Sequence, residues 1–399
     1  MDEGRWRALG WVALAVVLTL STWFSATSVA DQLAQDLELT PGQISWMTNA
    51  VQLGFVMGAL LSSFLALPDI FPMTRVMIFG AVLAGLANAI LLFDPAPSMA
   101  ILSRVLTGGA LALIYPPAMK FIGTWFKTGR GLAMGAVVGA LTLGSALPHL
   151  IRGLGLGFDW RMIIGATSIA CFVAVVVILT LREGPYPFKS ARFSPRQLGQ
   201  VVRNRPAMLA NFGYFGHMWE LYAFWAWLLA FVMAAGANGL DIGNASILTF
   251  AAIAMGALGC VFGGWLADRI GRCWTAAGSM AISGSCAVLI GAFFDGPAAL
   301  FVFLALLWGL TSVADSAQFS AAVSELSEPT LVGSSLAFQM GVGFAITILV
   351  VWLVPLLAET LGSWRWSFLV LAPGPALGVW AMLTLRFHPA AVRIANGRR

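Results

Sequence analysis

The decapeptide GGWLADRIGR, residues 263–272, decides the fold of this 399-residue chain. It holds one aspartate and two arginines, and long apolar runs flank it at about 244–266 and 274–294. A helix that crosses the hydrocarbon of a bilayer needs about 20 largely apolar residues. The decapeptide is therefore predicted to be a short loop between two membrane-spanning helices, with Gly271 at a tight turn.

The composition of the whole chain agrees with a membrane protein. Hydrophobic residues make up 59% of it, there are 43 glycines in addition, and only 10% of the residues are charged. Soluble domains carry about 25% charged residues, and disordered chains are poor in apolar residues, so both classes are excluded. Long apolar runs, rather than short alternating segments, exclude a membrane β-barrel. The predicted class is an all-α integral membrane protein.

Breaks in hydropathy predict twelve membrane-spanning helices. The first apolar run is longer than the core of a signal peptide, which has about 7–15 residues. It is therefore predicted to be the first span. The spans are expected at about 8–30, 43–66, 75–93, 98–122, 131–153, 161–182, 207–235, 244–266, 274–294, 298–323, 330–357 and 364–385.

The distribution of basic residues predicts the orientation in the membrane. Of the 22 lysines and arginines, only Arg152, Arg161 and Arg365 fall at one face, and Arg104 falls inside a span. The rest fall at the opposite face, which the positive-inside rule makes cytoplasmic. Both termini are therefore expected in the cytoplasm, with the chain in the cytoplasmic (inner) cell membrane as a multi-pass protein.

The chain also contains a repeat. A basic, proline-rich segment at 183–206 divides it into predicted bundles of six helices at 1–182 and 207–399. Trp160-Arg161 and Trp364-Arg365 recur at equivalent places, as do the loop residues Asp69 and Asp268. Parallel repeats of this kind are one known plan of secondary transporters.

The decapeptide resembles the loop signature of the major facilitator superfamily, Gly-x-x-x-Asp-Arg-x-Gly-Arg. The resemblance implies two pseudo-symmetric six-helix bundles and a gating role for this loop. Gly264 is expected to permit close helix approach, and Asp268 to bond a helix end or a neighbouring arginine. Arg269 and Arg272 are expected at the anionic membrane surface. The equivalent loop of the first half keeps only Asp69 and Arg75, so gating is expected to be weaker there.

An arginine inside the fourth span is costly unless it faces a cavity or a partner. Arg104, with Gly108 four residues on, is similar to that superfamily's Arg-x-x-x-Gly pattern. We expect a cavity or a structural partner, with Asp31 as a candidate, and the alternative is a side chain that extends to the lipid headgroups. Tyr115 is expected on the same helix face.

The fifth span contains small residues that resemble a glycine-rich pattern found most often in the superfamily's exporters. Gly135, Gly139 and Gly144 precede Pro148. Ordinary close packing of membrane helices explains them equally well. His149 follows, and a proton relay, a gate and local packing all remain open for it.

Two acids lie well inside spans and are hypotheses for function by default. Tyr214, His217 and Glu220 are expected on one face of the seventh span, so His217 and Glu220 are expected to be in contact. Proton coupling or a static histidine–glutamate bond would explain this arrangement. In the tenth span, Asp315 and Gln318 are expected on one cavity-facing stripe, and a buried structural carboxyl is the alternative.

Further polar and aromatic residues at membrane depth are candidates for the solute pathway. Gln52, with either Asn49 or Thr48, forms a polar stripe in the second span. Thr22 and Trp23 in the first span, and Trp219 in the seventh, are placed to line a binding site, although core packing explains the tryptophans equally well.

These features predict a secondary transporter that works by alternating access, as symporter or antiporter. No phosphate-binding loop for ATP occurs, and scattered histidines argue against an enzyme. No metal or cofactor is expected, and the four cysteines are expected to be free thiols. The expected partners are protons, lipid and a small organic solute, neutral or cationic, without nucleic acid, and the chain is expected to be a monomer. A drug exporter and a sensor without transport are the alternatives.

Overall fold

A computed structural model describes residues 2–65, 67–126, 129–155, 159–186, 197–328 and 330–398. These residues form helices and connecting turns, with no β-strand among them. The chain divides into two compact units, Met1–Ser190 and Ala191–Arg399.

The described residues of the first unit form nine α-helices. Short 3-10 turns at Thr27–Val29 and Ile90–Phe93 adjoin them. The α-helices are α1 (Asp2–Leu20), α2 (Ala30–Asp36), α3 (Pro41–Phe64), α4 (Leu67–Ile70), α5 (Met73–Ala89), α6 (Pro97–Leu111), α7 (Tyr115–Gly123), α8 (Arg130–Leu154) and α9 (Trp160–Leu179).

The second unit contains eight α-helices. Its 3-10 turns lie at Ile290–Phe293, Ser367–Leu371 and Pro389–Gly397. The α-helices are α10 (Leu198–Arg203), α11 (Arg205–Ala237), α12 (Ala245–Ile270), α13 (Arg272–Leu289), α14 (Ala298–Thr311), α15 (Ser316–Leu326), α16 (Val332–Thr360) and α17 (Pro373–Phe387).

Within the described residues, eleven helical segments are long and apolar enough to cross a membrane. They correspond to the second to twelfth predicted spans. The helix α1 is not counted with them, because four charged residues in its first two turns dilute its hydropathy and it ends at Leu20. The first predicted span, 8–30, is therefore corrected. It consists of α1 followed by an irregular stretch and a 3-10 turn.

The predicted fourth and tenth spans are also interrupted. α6 ends at Leu111 and α7 begins at Tyr115, whereas α14 ends at Thr311 and α15 begins at Ser316. The two breaks fall at equivalent places in the two units, as do the 3-10 turns before α6 and α14. The repeat predicted from the sequence is thus present in the backbone itself.

Glycines bring equivalent helix pairs into backbone contact in both units. A methyl group at Gly54 of α3 would fall on the carbonyl oxygen of Val105 in α6. A methyl group at Gly309 of α14 would fall on the carbonyl oxygen of Ala252 in α12. Small residues at such crossings are what membrane helices use to pack closely.

The Trp-Arg pairs occupy matching corners of the two units. Arg161 pairs with Asp94 at 2.6 Å, Asp36 at 3.1 Å and Asp159 at 3.2 Å. The indole N–H of Trp160 also donates to Asp36 at 2.8 Å, and this bond, with Arg161, lowers the pKa of that carboxyl. At the second corner, the described carboxylate paired with Arg365 is that of Asp295, 3.1 Å away.

The described parts of the predicted linker each pack on their own unit. Glu183 accepts a bond of 2.8 Å from the backbone N–H of Met73 at the start of α5. Gln197 accepts a bond of 2.7 Å from Ser334, and Asn204 caps α11. Residues 187–196 lie outside the described residues.

Candidate functional site

The break after α1 is the polar centre of the first unit. The carbonyl oxygens of Thr22 and Trp23 lie in this break, and that of Thr22 accepts a bond of 3.0 Å from the hydroxyl of Ser25. Both accept bonds from Nη2 of Arg104, at 2.7 and 2.8 Å. Unpaired backbone groups are costly in the membrane, and the fully buried Arg104 removes that cost here.

Asn88 holds the other side of the guanidinium. Its Oδ1 accepts bonds from Arg104 Nη1 at 2.7 Å and from Ser25 at 2.8 Å. Its amide nitrogen donates to Ser168 at 2.8 Å and to Thr167 at 3.1 Å on α9. The network joins the break after α1 to α5, α6 and α9. Sequence analysis did not select Asn88, although a lone amide in an apolar span is itself a signal.

Arg104 has buried structural partners, and two other possibilities raised for it do not agree with the structure. Asp31 is not its partner, because that carboxylate pairs with Arg152 at 2.8 Å. Extension to the headgroups is excluded by complete burial. Tyr115 is half-buried, but the break between α6 and α7 removes the continuous helix on which a shared face with Arg104 was expected.

The polar stripe of α3 faces the same break. Thr48 bonds Thr27 at 2.8 Å, and Phe55 packs against Trp23 with ring centroids 5.0 Å apart. Gln52 lies between these contacts on the same helix face. Gln52 and Asn49 are buried, and neither atom of the Gln52 amide has a hydrogen-bond partner among the described residues.

His149 lies on α8 beside the same break. Arg152, one turn on, donates to the carbonyl oxygen of Ser28, and Gly144 contacts the backbone of Val17 in α1. His149 is fully buried, and neither of its ring nitrogens bonds a described residue. The geometry therefore leaves both a relay and a packing role open.

Glu220 is the acidic centre of the second unit. It is 1% exposed on α11. Its Oε1 accepts a bond of 2.7 Å from the indole N–H of Trp308 on α14. Its Oε2 accepts a bond of 2.8 Å from the hydroxyl of Ser283 on α13. Both donors are neutral, and no described cation pairs with this carboxyl.

The expected contact between His217 and Glu220 is wrong. His217 Nδ1 lies 2.9 Å from Asp315 Oδ1 instead, with both side chains buried. The ring nitrogen and that oxygen lie close together without the geometry of a hydrogen bond. Residues three apart on a helix share a face, but each here contacts a different neighbouring helix.

The other candidates of the second unit are dispersed. Tyr214 packs beside His217, with ring centroids 6.0 Å apart. Trp219 donates its indole N–H to the carbonyl oxygen of Val370 at 2.7 Å, so it is part of the packing near α17. Gln318 is buried and accepts a bond of 3.1 Å from Arg272. It therefore belongs to the loop network rather than to the Glu220 centre.

The signature loop differs from expectation at three positions. Gly264 has open space around it, and its neighbour Gly263 makes the close approach, to Ala314. Arg272 is half-buried and forms a paired contact with Glu325, at 2.8 and 3.1 Å, instead of facing the membrane surface. The exposed Asp268 carboxylate bonds no described residue. Its carbonyl oxygen accepts a bond from Arg398.

Other parts of the signature are as expected. Gly271 has φ 93°, which requires glycine. Arg269 is exposed and lies over the ring of Trp265, 4.1 Å from its centroid. In the first half, Arg75 is exposed, and the side chain of Asp69 lies outside the described residues.

The described side chains form no cluster of metal-ligating groups. No group of three or more His, Cys, Asp or Glu among them is placed to hold a metal ion. All four cysteines are free and buried, as expected.

The comparisons with known proteins assign a family. The Major Facilitator Superfamily model matches residues 12–259. The MFS-type transporter pytF of Aspergillus terreus is 30% identical over 172 residues, which cover 42% of this chain and 56% of that protein. The puromycin resistance protein pur8 of Streptomyces alboniger is 28% identical over 228 residues, which cover 56% of this chain and 42% of that protein. The chain thus spans about half the length of these curated relatives.

The fold agrees with a solved structure. The nucleoside transporter NupG superposes with a TM-score of 0.73 at 16% identity, covering 96% of this chain and 100% of that chain. The twelve-helix fold predicted from the sequence is confirmed. The chain belongs to the major facilitator superfamily and is a multi-pass membrane protein.

Proposed function

We propose that this transporter moves a small organic solute by alternating access and couples the movement to protons at Glu220. The observation that carries the proposal is the setting of this carboxyl, which is buried at membrane depth and bonded by two neutral donors. Such residues usually mark substrate or proton pathways. Asp315 differs, because His217 lies against it and compensates its charge when protonated.

The first unit supplies the solute contacts in this proposal. Gln52 and Asn49 offer buried amide groups beside the break after α1, and a solute with hydrogen-bonding groups would satisfy them. Trp23, Thr22 and His149 are at the same break. Arg104 has a structural role, because its guanidinium holds the broken backbone.

The remaining features follow the sequence expectations. The bundles 1–182 and 207–399 rock about the solute, joined by 183–206, as a monomer in the cytoplasmic membrane. Both termini lie in the cytoplasm. The network of Arg272 with Glu325 and Gln318 gates the cytoplasmic side of the second unit.

Transport assays in proteoliposomes test the coupling. A ligand-stabilisation screen first identifies a solute, and E220Q is then compared with E359Q, an exposed glutamate at the end of α16. E220Q should lower pH-driven transport at least about tenfold and keep counterflow of labelled solute, whereas E359Q should keep both. Unchanged pH-driven transport in E220Q would refute the coupling, and the absence of counterflow in wild-type protein would favour a sensor.

Export of drug-like or amphipathic compounds is a second candidate. It is favoured by the similarity to the puromycin resistance protein of Streptomyces alboniger. Expression in a host that lacks its own exporters should raise resistance to the identified compound if the chain exports it. Accumulation of the same compound in those cells would indicate import.

A further inference from the structure

Ser283 is a buried residue that sequence analysis did not select. It lies on α13 and is 1% exposed. Its hydroxyl donates to Glu220 Oε2 at 2.8 Å, and the carbonyl oxygen of Met280 lies 3.2 Å from the same hydroxyl oxygen. The hydroxyl hydrogen can therefore point at the carboxylate or, after a rotation, at the carbonyl.

Trp308 fixes the other carboxyl oxygen. An indole N–H can only donate, so Oε1 must remain an acceptor whenever the 2.7 Å bond to Trp308 is present. The indole is itself held in place, since Trp308 stacks on Phe224 with ring centroids 4.2 Å apart and packs edge-on against Phe368. The carbonyl oxygen of a carboxylic acid accepts more strongly than its hydroxyl oxygen, so the bond from Trp308 to Oε1 favours a proton at Oε2.

We propose that Ser283 is a positioning residue that lets Glu220 alternate between its charged and neutral forms, with the proton at Oε2. The proposal rests on the proton-coupling role of Glu220. When Glu220 takes a proton from a hydronium ion, an Oε2–H bond forms and the hydronium becomes water. The Ser283 hydroxyl then rotates to donate to Met280 and accepts from Oε2–H. Release to water reverses each step.

The other ionisable groups that act on Glu220 do not replace Ser283. Asp315 lies close enough to act on its charge, but His217 contacts that carboxylate. The thiol of Cys286 lies one turn beyond Ser283 on α13. Among the described residues, Ser283 alone combines a bond to Oε2 with a second acceptor within reach of its hydrogen.

Infrared spectroscopy of the protein in proteoliposomes tests this inference. The stretching band of the protonated carboxyl is followed against pH, and E220Q identifies it by removing it. S283A should retain the band at higher frequency, because Oε2–H loses its acceptor, and should displace its pH midpoint. S283T, which keeps the hydroxyl, should restore both values. W308F should also raise the frequency, because Oε1 loses its donor.

The matched control is S285A, whose exposed hydroxyl bonds only its own helix among the described residues. S285A should match wild-type protein in every measurement. S283A should, in addition to its infrared effects, slow proton-driven transport at least about threefold with counterflow unchanged. If S283A leaves the Glu220 band and its midpoint unchanged, the inference about Ser283 is wrong while the coupling role of Glu220 stands. If wild-type protein shows no band that E220Q removes, the coupling role itself fails.

Discussion

The two units repeat one helical frame but use their buried polar groups differently. In the first unit, α1 ends at Leu20 and the charged side chain of Arg104 bonds the backbone of the break. In the second unit, the corresponding α11 is continuous from Arg205 to Ala237, and its polar side chains bond other side chains. Where a helix is broken, its backbone groups at the break need polar side chains as hydrogen-bond partners. In a continuous helix the backbone groups bond one another, so polar side chains can bond other side chains.

The residue equivalent to Arg104 illustrates this difference. Counting back equally from the breaks in the fourth and tenth spans, the position of Arg104 in α6 corresponds to Leu304 in α14. Leu304 is buried and apolar, as expected where no backbone carbonyl needs a donor. This difference supports our proposal that Arg104 has a structural role and that the titrating group lies in the second unit.

Removal of the Arg104 guanidinium should have the largest effect on this comparison. R104A removes one donor from each of two buried carbonyl oxygens and from the Asn88 oxygen, of which only the Thr22 and Asn88 oxygens keep a bond from Ser25, and a buried group that loses its donor costs about 1–3 kcal/mol. We expect the folded protein to lose about 3–5 kcal/mol, measured as the fall in thermal stability in detergent. R104K should lose less, because it keeps the charge but not the planar fork.

The control for Arg104 is R7K, an exposed arginine of α1. R7K should leave the melting temperature unchanged. L304A in the second unit should lower the stability only by the free energy of burying one leucine side chain. Equal stability of R104A and wild-type protein would mean that the break after α1 does not depend on Arg104.

The close helix contacts at Gly54 and Gly309 test a feature that the two units share. G54A and G309A each place a methyl group on a facing carbonyl oxygen, and overpacking of this kind costs about 1–3 kcal/mol. We expect similar falls in thermal stability for the two variants. G264A, with open space around it, should be neutral or slightly stabilising, because alanine favours helix more than glycine. A large loss in G264A alone would restore the expectation drawn from the signature.

A smaller effect is expected at the ionic contact of the second unit. D315N keeps the shape of the side chain and removes the charge that faces His217. No backbone group loses its partner, so we expect a loss of about 1 kcal/mol, well below that of R104A. Thermal unfolding of D315N, H217Q and the double variant measures the coupling energy. Strict additivity of the single effects would show that the two side chains do not interact.

The fold was predictable because its main signals are local. Apolar length gave the spans, and the positive φ of Gly271 agrees with the turn expected in GGWLADRIGR. The interruptions were harder, because the runs around Ser21 and Val313 are as apolar as a continuous helix. Only the break before α7 carries a signal, since Pro116 and Pro117 disfavour a helical residue before them.

The candidate site was predictable in its members but not in its pairings. Arg104, Glu220 and Asp315 stand out because charge is rare in spans. Their partners depend on how neighbouring helices are rotated, which the spacing along one helix does not define. Asp31 therefore looked like the partner of Arg104, and His217 like that of Glu220.

The corners at Arg161 and Arg365 offer the smallest and last test. The bond from Trp160, with Arg161, lowers the pKa of Asp36, so the folded state favours the charged carboxylate. Its contribution to stability is present above the unfolded value, about 3.9, and is lost as the pH falls through the folded value. The difference in melting temperature between wild-type protein and D36N should therefore be largest near neutral pH and vanish in acid. This difference should stay small throughout and shrink with salt, because Asp36 is 45% exposed.

At neutral pH, D295N should lower the stability more than D36N does. In D36N, Arg161 retains Asp94 and Asp159, whereas in D295N, Arg365 loses its one described carboxylate. A D36N effect that grows toward acid pH would contradict this assignment, and equal effects of the two variants would mean that the extra acids at the first corner do not compensate for one another.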